Sequence, residues 1–244
     1  MAGSGFVFTD RDRRLAAEVL RFGALTREQA MRLGYFTSAT RAKARLKILT
    51  DQGVLTTRAH AVSQRGVRNV YLPGPELLGS SARSRMRHAS PLFLAHQLGL
   101  VDIRIAFERH TALDRWWTEK ELVRASLGFI PDGYIEYRVG AQTFSAFVEY
   151  DRGTETLARI QHKIRAYTQL AFTGTFEQRF GRKYFRLLLI TNTPGRLATL
   201  SKAAAAVTDK VVRLTTLIDL TTRGPQQSIW IRPGLTVPES LTGS

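Results

Sequence analysis

Three acidic residues in the middle of the chain have the spacing that a divalent-metal site requires. Glu149 and Asp151 are two positions apart in a β-rich segment, so their side chains share one face of a strand, about 7 Å apart. An adjacent antiparallel strand that carries Asp132 would bring a third carboxylate beside them. Clustered carboxylates repel one another and lose hydration, and Mg²⁺ or Mn²⁺ relieves both costs. We therefore expect the three acids to converge on such an ion.

A lysine on the next predicted element could complete this chemistry. The helical pattern that follows the acids runs from Thr154 to about Phe172. Lys163 is about 60° around this helix from Ile160, at the border of an apolar stripe that also contains Ile164. From that border its ammonium group can point back toward the acids and stabilise charge on a phosphate.

Each of these residues also has a purely structural interpretation. Asp132 is the middle residue of Pro-Asp-Gly, a common turn sequence. Glu149 and Asp151 could form ordinary ion pairs with the many arginines of the chain. Lys163 could be a surface lysine whose stem covers apolar groups. Glu119 is a further candidate, as a carboxylate of the first strand, although exposed glutamates are common.

The elements that must position these residues follow the order αβββαβαβ over residues 91–235, which predicts an α/β domain. A helix of about twenty residues begins at Pro91, and a strand is predicted in WWTEKELV. FIPDGYIEYRV and TFSAFVEYDR are expected to form a hairpin that turns at residues 139–142. After the helix of Lys163 come a buried strand in YFRLLLIT, a helix in PGRLATLSKAAAAV and a strand in VVRLTTLIDL. Residues 236–244 are predicted to be a disordered tail.

Three helical patterns and a hairpin occupy residues 1–75. The second helix, LTREQAMRLGY, has Thr26 and Gln29 at capping-box spacing. Two β-rich segments, VLTTRAHA and RGVRNVYLP, follow the third helix and predict a hairpin. The order helix, helix, helix, hairpin predicts a winged helix-turn-helix, so the whole chain is α+β, with a basic linker at residues 76–90. The first helix is expected from Thr9 or Asp10 to Gly23, and the third from Ser38 to Gly53.

The charge of the chain favours a polyanionic partner. The formal net charge is +16, and residues 1–90 carry 16 Lys and Arg against 6 Asp and Glu. A third helix of this kind fits the major groove of double-stranded DNA, and the hairpin would lie along the backbone or the minor groove. The basic face could instead be solvated, or the wing could contact a protein. The predicted DNA-binding residues are Ser38, Thr40, Arg41, Lys43, Arg45 and Lys47 on the helix, with Arg58, Arg65 and Arg68 in the hairpin.

Several classes of protein are disfavoured by the composition. The chain has no cysteine, which excludes disulfides and thiolate metal sites. No apolar run is long enough for a signal peptide or a membrane span, so we expect a cytoplasmic protein without a membrane anchor. A phosphate-binding Gly-rich loop is also missing, which argues against an ATP-driven enzyme.

Two resemblances extend this interpretation. Pro131-Asp132-Gly133 followed by Glu149-Tyr150-Asp151, inside an αβββαβ order, resembles the PD-(D/E)XK core of restriction-endonuclease-like folds. That resemblance implies that Asp132 and Glu149 hold Mg²⁺ or Mn²⁺, while a lysine two residues after the second acid orients or activates water for phosphodiester hydrolysis. Asp151 stands at that lysine position here. Strand cleavage would then require Lys163 to replace the missing lysine from the helix.

Over residues 10–220 the chain is similar to the replication-relaxation family of plasmid and mobile-element proteins. The matching stretches are LTREQAMRLGY, RLKILTDQGVL, NVYLP, WWTEKEL, PDG, VEYDRGTE and KIRAY. This similarity implies a role in replication or DNA relaxation, and a homodimer or a replication partner is possible. Three functions remain open: a DNA-binding replication or mobilisation factor whose nuclease-like domain no longer cuts alone, a metal-dependent endonuclease, and a transcriptional regulator.

Overall fold

The computed structural model describes residues 6–62, 66–78 and 89–241. The chain divides into two compact units, Met1–Val101 and Asp102–Ser244. Most of the predicted linker at residues 76–90, with its three arginines, is outside the described ranges. The division at residue 101 lies inside a long helix that begins at Pro91, where the sequence pattern had placed the start of the second domain.

The first unit has the predicted order of three helices and a hairpin. A short strand that was not predicted precedes the second helix and pairs with the hairpin, giving an antiparallel sheet of order β1-β3-β2. This order of elements is the one that the sequence pattern predicts for a winged helix-turn-helix. The elements are α1 (Asp10–Phe22), β1 (Leu25–Thr26), α2 (Arg27–Arg32), α3 (Ala39–Asp51), β2 (Leu55–Val62) and β3 (Gly66–Pro73).

Local hydrogen bonds set the helix boundaries in this unit. The Thr26 hydroxyl accepts from the amide of Gln29, whose side chain accepts from the Thr26 amide, so the predicted capping box of α2 is confirmed. Thr9 forms a second capping box with Asp12 at the start of α1. Gly23 ends α1 with φ at 81°, a conformation that costs glycine little.

The inner face of α3 anchors it in the core of the first unit. Ala42, Leu46 and Leu49 are buried at i, i+4, i+7 spacing, which puts them on one face of the helix. Burying two leucines stabilises the unit by roughly 3–6 kcal/mol relative to leaving them exposed. The opposite face of the same helix is thereby turned outward.

The second unit is built on a five-stranded sheet of order β4-β5-β6-β7-β8. The strands β4, β5 and β6 are antiparallel neighbours, whereas β6, β7 and β8 run parallel. The predicted order αβββαβαβ is confirmed, with short helices added. The elements are α4 (Pro91–His110), β4 (Ala112–Thr118), α5 (Glu119–Leu122), β5 (Gly133–Val139), β6 (Gln142–Asp151), α6 (Leu157–Phe172), α7 (Thr175–Phe180), β7 (Arg186–Thr191), α8 (Pro194–Ala205), β8 (Val212–Thr216) and α9 (Leu217–Arg223).

The first turns of α4 belong to the first unit. Leu94 lies in a buried cluster with Ala24, Val70 and Leu72, and the side-chain amide of Gln29 donates to the carbonyl of Leu98 at 2.8 Å. These contacts explain why the division falls at residue 101. Within the described residues, no helix combines the length and apolarity needed to cross a membrane.

Two predicted strands end earlier than expected, because a threonine at the end of each strand caps the helix that follows it. Thr118 ends β4 and shares a capping box with Glu121, so Glu119 begins α5 instead of extending the first strand. Glu119 is exposed in this helix. The prediction that it is a carboxylate of the first strand is therefore wrong. In the same way Thr216 ends β8, and its hydroxyl accepts from the amide of Asp219 in α9.

The end of the chain is packed where a disordered tail was expected. Trp230 is fully buried, and its backbone exchanges two hydrogen bonds with that of Glu239, at 3.0 and 2.7 Å. Leu241 is also buried. The tail prediction for residues 236–244 is therefore wrong up to residue 241, because apolar burial and strand-like pairing hold this segment, and residues 242–244 are outside the described ranges.

An aromatic core supports one face of the sheet under the helices α6 and α7. Tyr134 of β5 and Phe147 of β6 lie opposite each other, with ring centres 5.2 Å apart, and contact Phe180. Ile160 and Ile164 of α6 belong to the same buried cluster. Because strand side chains alternate, the face that carries Phe147 also carries Glu149 and Asp151.

Candidate functional site

The β5–β6 hairpin places Asp132 beside Glu149. Gly133 pairs with Val148, so the next step of the antiparallel ladder brings Asp132 opposite Glu149. The carboxylate of Asp132 accepts a hydrogen bond from the backbone amide of Tyr150 at 2.8 Å. The two acids that the sequence pattern singled out as metal ligands are therefore neighbours at the end of the hairpin.

Lys163 and Tyr167 of α6 both contact Glu149. The ammonium nitrogen of Lys163 donates to one carboxylate oxygen of Glu149 at 2.8 Å, and the hydroxyl of Tyr167 donates to the other at 2.6 Å. Lys163 also donates to Glu155 at 2.8 Å. Of the two interpretations that the sequence left open for Lys163, these contacts correspond to the one in which the side chain points at the acids. We call Asp132, Glu149, Lys163 and Tyr167 the acidic centre.

Burial controls the protonation of this centre. Burial raises the pKa of Glu149 to about 7, the charge of Asp132 adds to the rise, and Lys163 and Tyr167 oppose it. Burial acts to lower the pKa of Lys163, but attraction to Glu149 and hydrogen bonds to Glu149 and Glu155 raise it above its ordinary value. Burial and the nearby Glu149 charge raise the pKa of Tyr167 as well. Burial and the Asp132 charge thus favour the protonated form of Glu149, whereas its contacts with Lys163 and Tyr167 favour the ionised form.

Asp151 does not join the acidic centre. Its carboxylate is buried and accepts from Arg196 of α8, at 2.7 Å from Nε and 3.3 Å from Nη2. Arg196 also donates to the carbonyl of Glu155 at 2.7 Å. This corrects the expectation that three acids converge, because the arginine neutralises Asp151 and holds its carboxylate toward α8. The ion-pair interpretation holds for Asp151.

The remaining donor set fits a loosely held divalent cation. Within the described ranges, no group of three or more His, Cys, Asp or Glu side chains is arranged to bind a metal. Mg²⁺, however, is commonly held by one or two carboxylates and completes its shell with water and substrate phosphates. Asp132 and Glu149 supply two carboxylates, and a cation would offset both the burial and the Asp132 charge that raise the pKa of Glu149.

The predicted DNA-binding face of α3 is open to solvent. Thr40, Arg41, Lys43 and Lys47 are exposed, and Lys47 forms an ion pair with Asp51 at 2.7 Å. The Lys47 side chain is still 73% exposed, so this pair competes weakly with other anions. Ser38 is half-buried at the N-cap, where its side chain makes no capping hydrogen bond.

Arg45 is a structural residue, which corrects its place among the DNA contacts. It forms a bidentate ion pair with the buried carboxylate of Asp12, with Nε at 3.0 Å from Oδ1, and donates to the carbonyl of Val7 at 2.6 Å. Burial acts to raise the pKa of Asp12, but hydrogen bonds from Arg45 and Thr9 outweigh it and hold that pKa at about 2. The pair joins α1 to α3. No local spacing signals it, because the partners are 33 positions apart.

The basic residues predicted in the hairpin are only partly available to solvent where the structure describes them. Arg58 is half-buried and donates to the carbonyl of Ala89 at 2.6 Å, so part of its guanidinium group holds the chain beyond the hairpin. Arg68 is half-buried. Arg65 is outside the described residues.

Three residues of the second unit were missed as contributors to the site. Tyr167 was not singled out as a site residue, although its position four residues after Lys163 puts both on one helix face. Glu155 and Arg196 gave no sequence signal, because Glu155 precedes α6 and Arg196 reaches the strand from α8.

A family model described as Replication-relaxation matches residues 18–183. The chain belongs to the replication-relaxation family. A search of curated proteins finds no match. Among solved structures, the chain is similar to the restriction endonuclease FokI, with 12% identity and a TM-score of 0.36, and to FokI bound to DNA, with 14% identity and a TM-score of 0.29. Each alignment covers 86% of this replication-relaxation chain and 43% of the FokI chain, so the chain spans less than half of that protein.

Proposed function

We propose that this replication-relaxation protein binds double-stranded DNA through the winged helix of its first unit and acts in the replication or mobilisation of plasmids or other mobile elements. The observation that carries the proposal is the two-sided nature of α3. Its inner face is buried, while Arg41, Lys43 and Lys47 project from the exposed face.

The physical argument rests on shape and charge. An α-helix fits the major groove of B-form DNA, where short side chains near the helix N-terminus, such as Thr40, reach base edges. Exposed cations along the same face neutralise phosphates and release condensed counterions. Arg45 takes no part in this contact, because Asp12 holds it inside the unit.

The test compares two variants with equal charge loss. Lys43→Ala/Lys47→Ala removes two cations from α3, and Lys202→Ala/Arg109→Ala removes two exposed cations from other helices. Affinity for a labelled duplex is measured by fluorescence anisotropy at several salt concentrations. The α3 variant should bind more than tenfold more weakly, with a log–log salt slope smaller by roughly two, because about one counterion is released per phosphate contact. Equal losses in the two variants, or none, would remove α3 as the DNA-reading helix.

A second candidate function, metal-dependent phosphodiester hydrolysis, is favoured by the contact of Lys163 with Glu149 beside Asp132. Asp132 and Glu149 would hold Mg²⁺ or Mn²⁺, which supplies a Lewis acid for the phosphate and lowers the pKa of bound water. Lys163, charged at neutral pH, would stabilise negative charge on the phosphate. Tyr167 orients Glu149 through its hydrogen bond.

Two measurements test this second candidate. Supercoiled plasmid is incubated with the protein in Mg²⁺ or Mn²⁺ and in EDTA, using wild type, Asp132→Ala and, as a control acid, the exposed Glu177→Gln. Mn²⁺ binding is followed in parallel by water-proton relaxation, which needs no turnover. Cleavage and Mn²⁺ binding that are lost only in Asp132→Ala support an active site. Mn²⁺ binding without cleavage supports a nuclease-like domain that needs a partner, and absence of both contradicts the metal proposal.

A further inference from the structure

A cationic pocket lies in the second unit, away from the acidic centre. It has a volume of about 530 Å³ and is lined in part by Arg182, Lys183, Arg186, Lys210 and Arg213. These residues lie at the beginnings of the strands β7 and β8, which run parallel to β6. The pocket therefore lies at the N-terminal edge of the three strands, about 20 Å along β6 from Asp151.

Two of the five cations already have carboxylate partners. Arg182 pairs with the buried Glu136 at 3.1 Å, and Arg213 pairs with Glu239 at 2.8 Å. Each of these acids also pairs with a second arginine, Arg115 or Arg232, so the acids do not neutralise the pocket.

The other three cations of the pocket are Lys183, Arg186 and Lys210. Within the described part of the chain, Lys183, Arg186 and Lys210 make no ion pair, and Lys183 and Lys210 are exposed. The Nη1 nitrogen of Arg186 is shielded from water and has no hydrogen-bond acceptor among the described residues. A buried donor without an acceptor is unfavourable, and an anionic oxygen would supply the missing acceptor. Three cations on one concave surface suit a phosphate group.

An exposed aromatic ring accompanies these cations. Tyr184 lines the pocket and is 75% exposed, with the ammonium nitrogen of Lys183 at 5.4 Å from its ring centre. A cationic groove with an open aromatic face is the combination by which proteins hold unpaired nucleotides, because the base stacks on the ring while the phosphate meets the cations. A cavity of this volume is also within the usual range for small ligands.

We propose that this pocket binds the phosphate of an unpaired nucleotide, with the base stacked on Tyr184. The nucleotide is either part of a single strand or free in solution. Lys183, Arg186 and Lys210 hold the phosphate. The site is distinct from α3, and it does not depend on that helix binding duplex DNA.

The test uses the Lys43→Ala/Lys47→Ala protein as background, so that binding at α3 does not mask the pocket. A labelled oligothymidylate of about ten nucleotides is the strand probe, and dTMP is the free-nucleotide probe. The variants are Lys183→Ala/Lys210→Ala, whose exposed side chains can be removed without loss of core packing, and Tyr184→Ala. Lys202→Ala/Arg109→Ala is the charge-matched control. Arg186→Ala is added, with circular dichroism to confirm that it folds.

Each outcome has a defined meaning. We expect Lys183→Ala/Lys210→Ala to weaken oligothymidylate binding at least tenfold and Tyr184→Ala at least fivefold, with the control unchanged. A loss confined to dTMP supports the same site with a free nucleotide as its ligand. If neither probe distinguishes the pocket variants from the control, or neither binds the background protein, the proposal is wrong. If the lysine variant loses affinity and Tyr184→Ala does not, the base does not stack on Tyr184 and that part of the proposal is wrong.

Discussion

Arg196 holds Asp151 through both of its carboxylate oxygens, at 2.7 and 3.3 Å, at the strand position where the PD-(D/E)XK pattern has a lysine. The acid is buried and the arginine is largely enclosed. A buried ion pair of this kind is costly to break, because the remaining charge loses its partner without regaining water. The pair therefore fixes α8 against the end of β6 and separates Asp151 from the acidic centre.

We predict that Arg196→Met lowers the free energy of unfolding by about 3–5 kcal/mol, because Asp151 is left as an uncompensated buried charge. Asp151→Asn/Arg196→Met should recover most of this loss, since both charges are then absent. Urea denaturation followed by circular dichroism measures both variants. Arg159→Ala is the control, because Arg159 is 71% exposed and lies 3.7 Å from its partner Glu155. A double variant as unstable as the single one would contradict the ion-pair explanation.

The Asp12–Arg45 pair should make the first unit sensitive to acid. The pKa of Asp12 is lowered from 3.8 to about 2, so the folded state favours the ionised form. This contribution to stability is complete above the unfolded pKa and is lost as the pH falls through the folded one, that is, between about pH 4 and pH 2. It amounts to about 2 kcal/mol. In urea unfolding curves across this range, Asp12→Asn should be less stable at neutral pH and should lose this part of the pH dependence. An unchanged pH profile in Asp12→Asn would show that the pair contributes nothing.

Tyr167→Phe tests whether the hydrogen bond from the Tyr167 hydroxyl to Glu149 stabilises the folded protein. Removing the hydroxyl deprives a buried carboxylate of one donor, and we expect a loss of about 1–3 kcal/mol in unfolding free energy. Tyr137→Phe is a matched control, because Tyr137 is equally buried and its hydroxyl makes no hydrogen bond within the described ranges. Chemical denaturation at neutral pH compares the two. Similar effects of the two substitutions would mean that the Tyr167 hydroxyl does not stabilise Glu149.

Gly74 lies where the wing returns to the turn after α3, and it has no room for a side chain. A Cβ there would lie 2.1 Å from the carbonyl oxygen of Gly53 and 2.6 Å from the carbonyl carbon of Val54. Gly74→Ala should therefore destabilise the first unit by about 1–3 kcal/mol or more, since the backbone itself must shift. Thermal unfolding measures the effect. Gly195→Ala in α8, where a Cβ meets nothing within 4 Å, should be neutral or slightly stabilising. An unaffected Gly74→Ala would show that this turn is less tightly packed than the distances indicate.

Elements with a strong periodic pattern were predictable from the sequence. The capping box of Thr26 and Gln29, the inner face of α3 and the β5–β6 hairpin all rest on contacts between residues close in the chain. The short strand β1 was not predictable, because two residues carry no period and its pairing partner is β3, far along the chain. The helices α5 and α9 were missed because each begins directly after the threonine that ends a strand, with no turn sequence between strand and helix.

By itself, the sequence determined which residues could do chemistry and roughly where they would lie. Alternation along β6 and the hairpin register put Asp132 beside Glu149, and helical periodicity turned Lys163 toward them. Only the tertiary structure decided which charges are already paired. Arg45 is held by Asp12 and Asp151 by Arg196, over separations of 33 and 45 positions. The physical reason is that the choice of ionic partner depends on which elements pack together, and local spacing does not encode it.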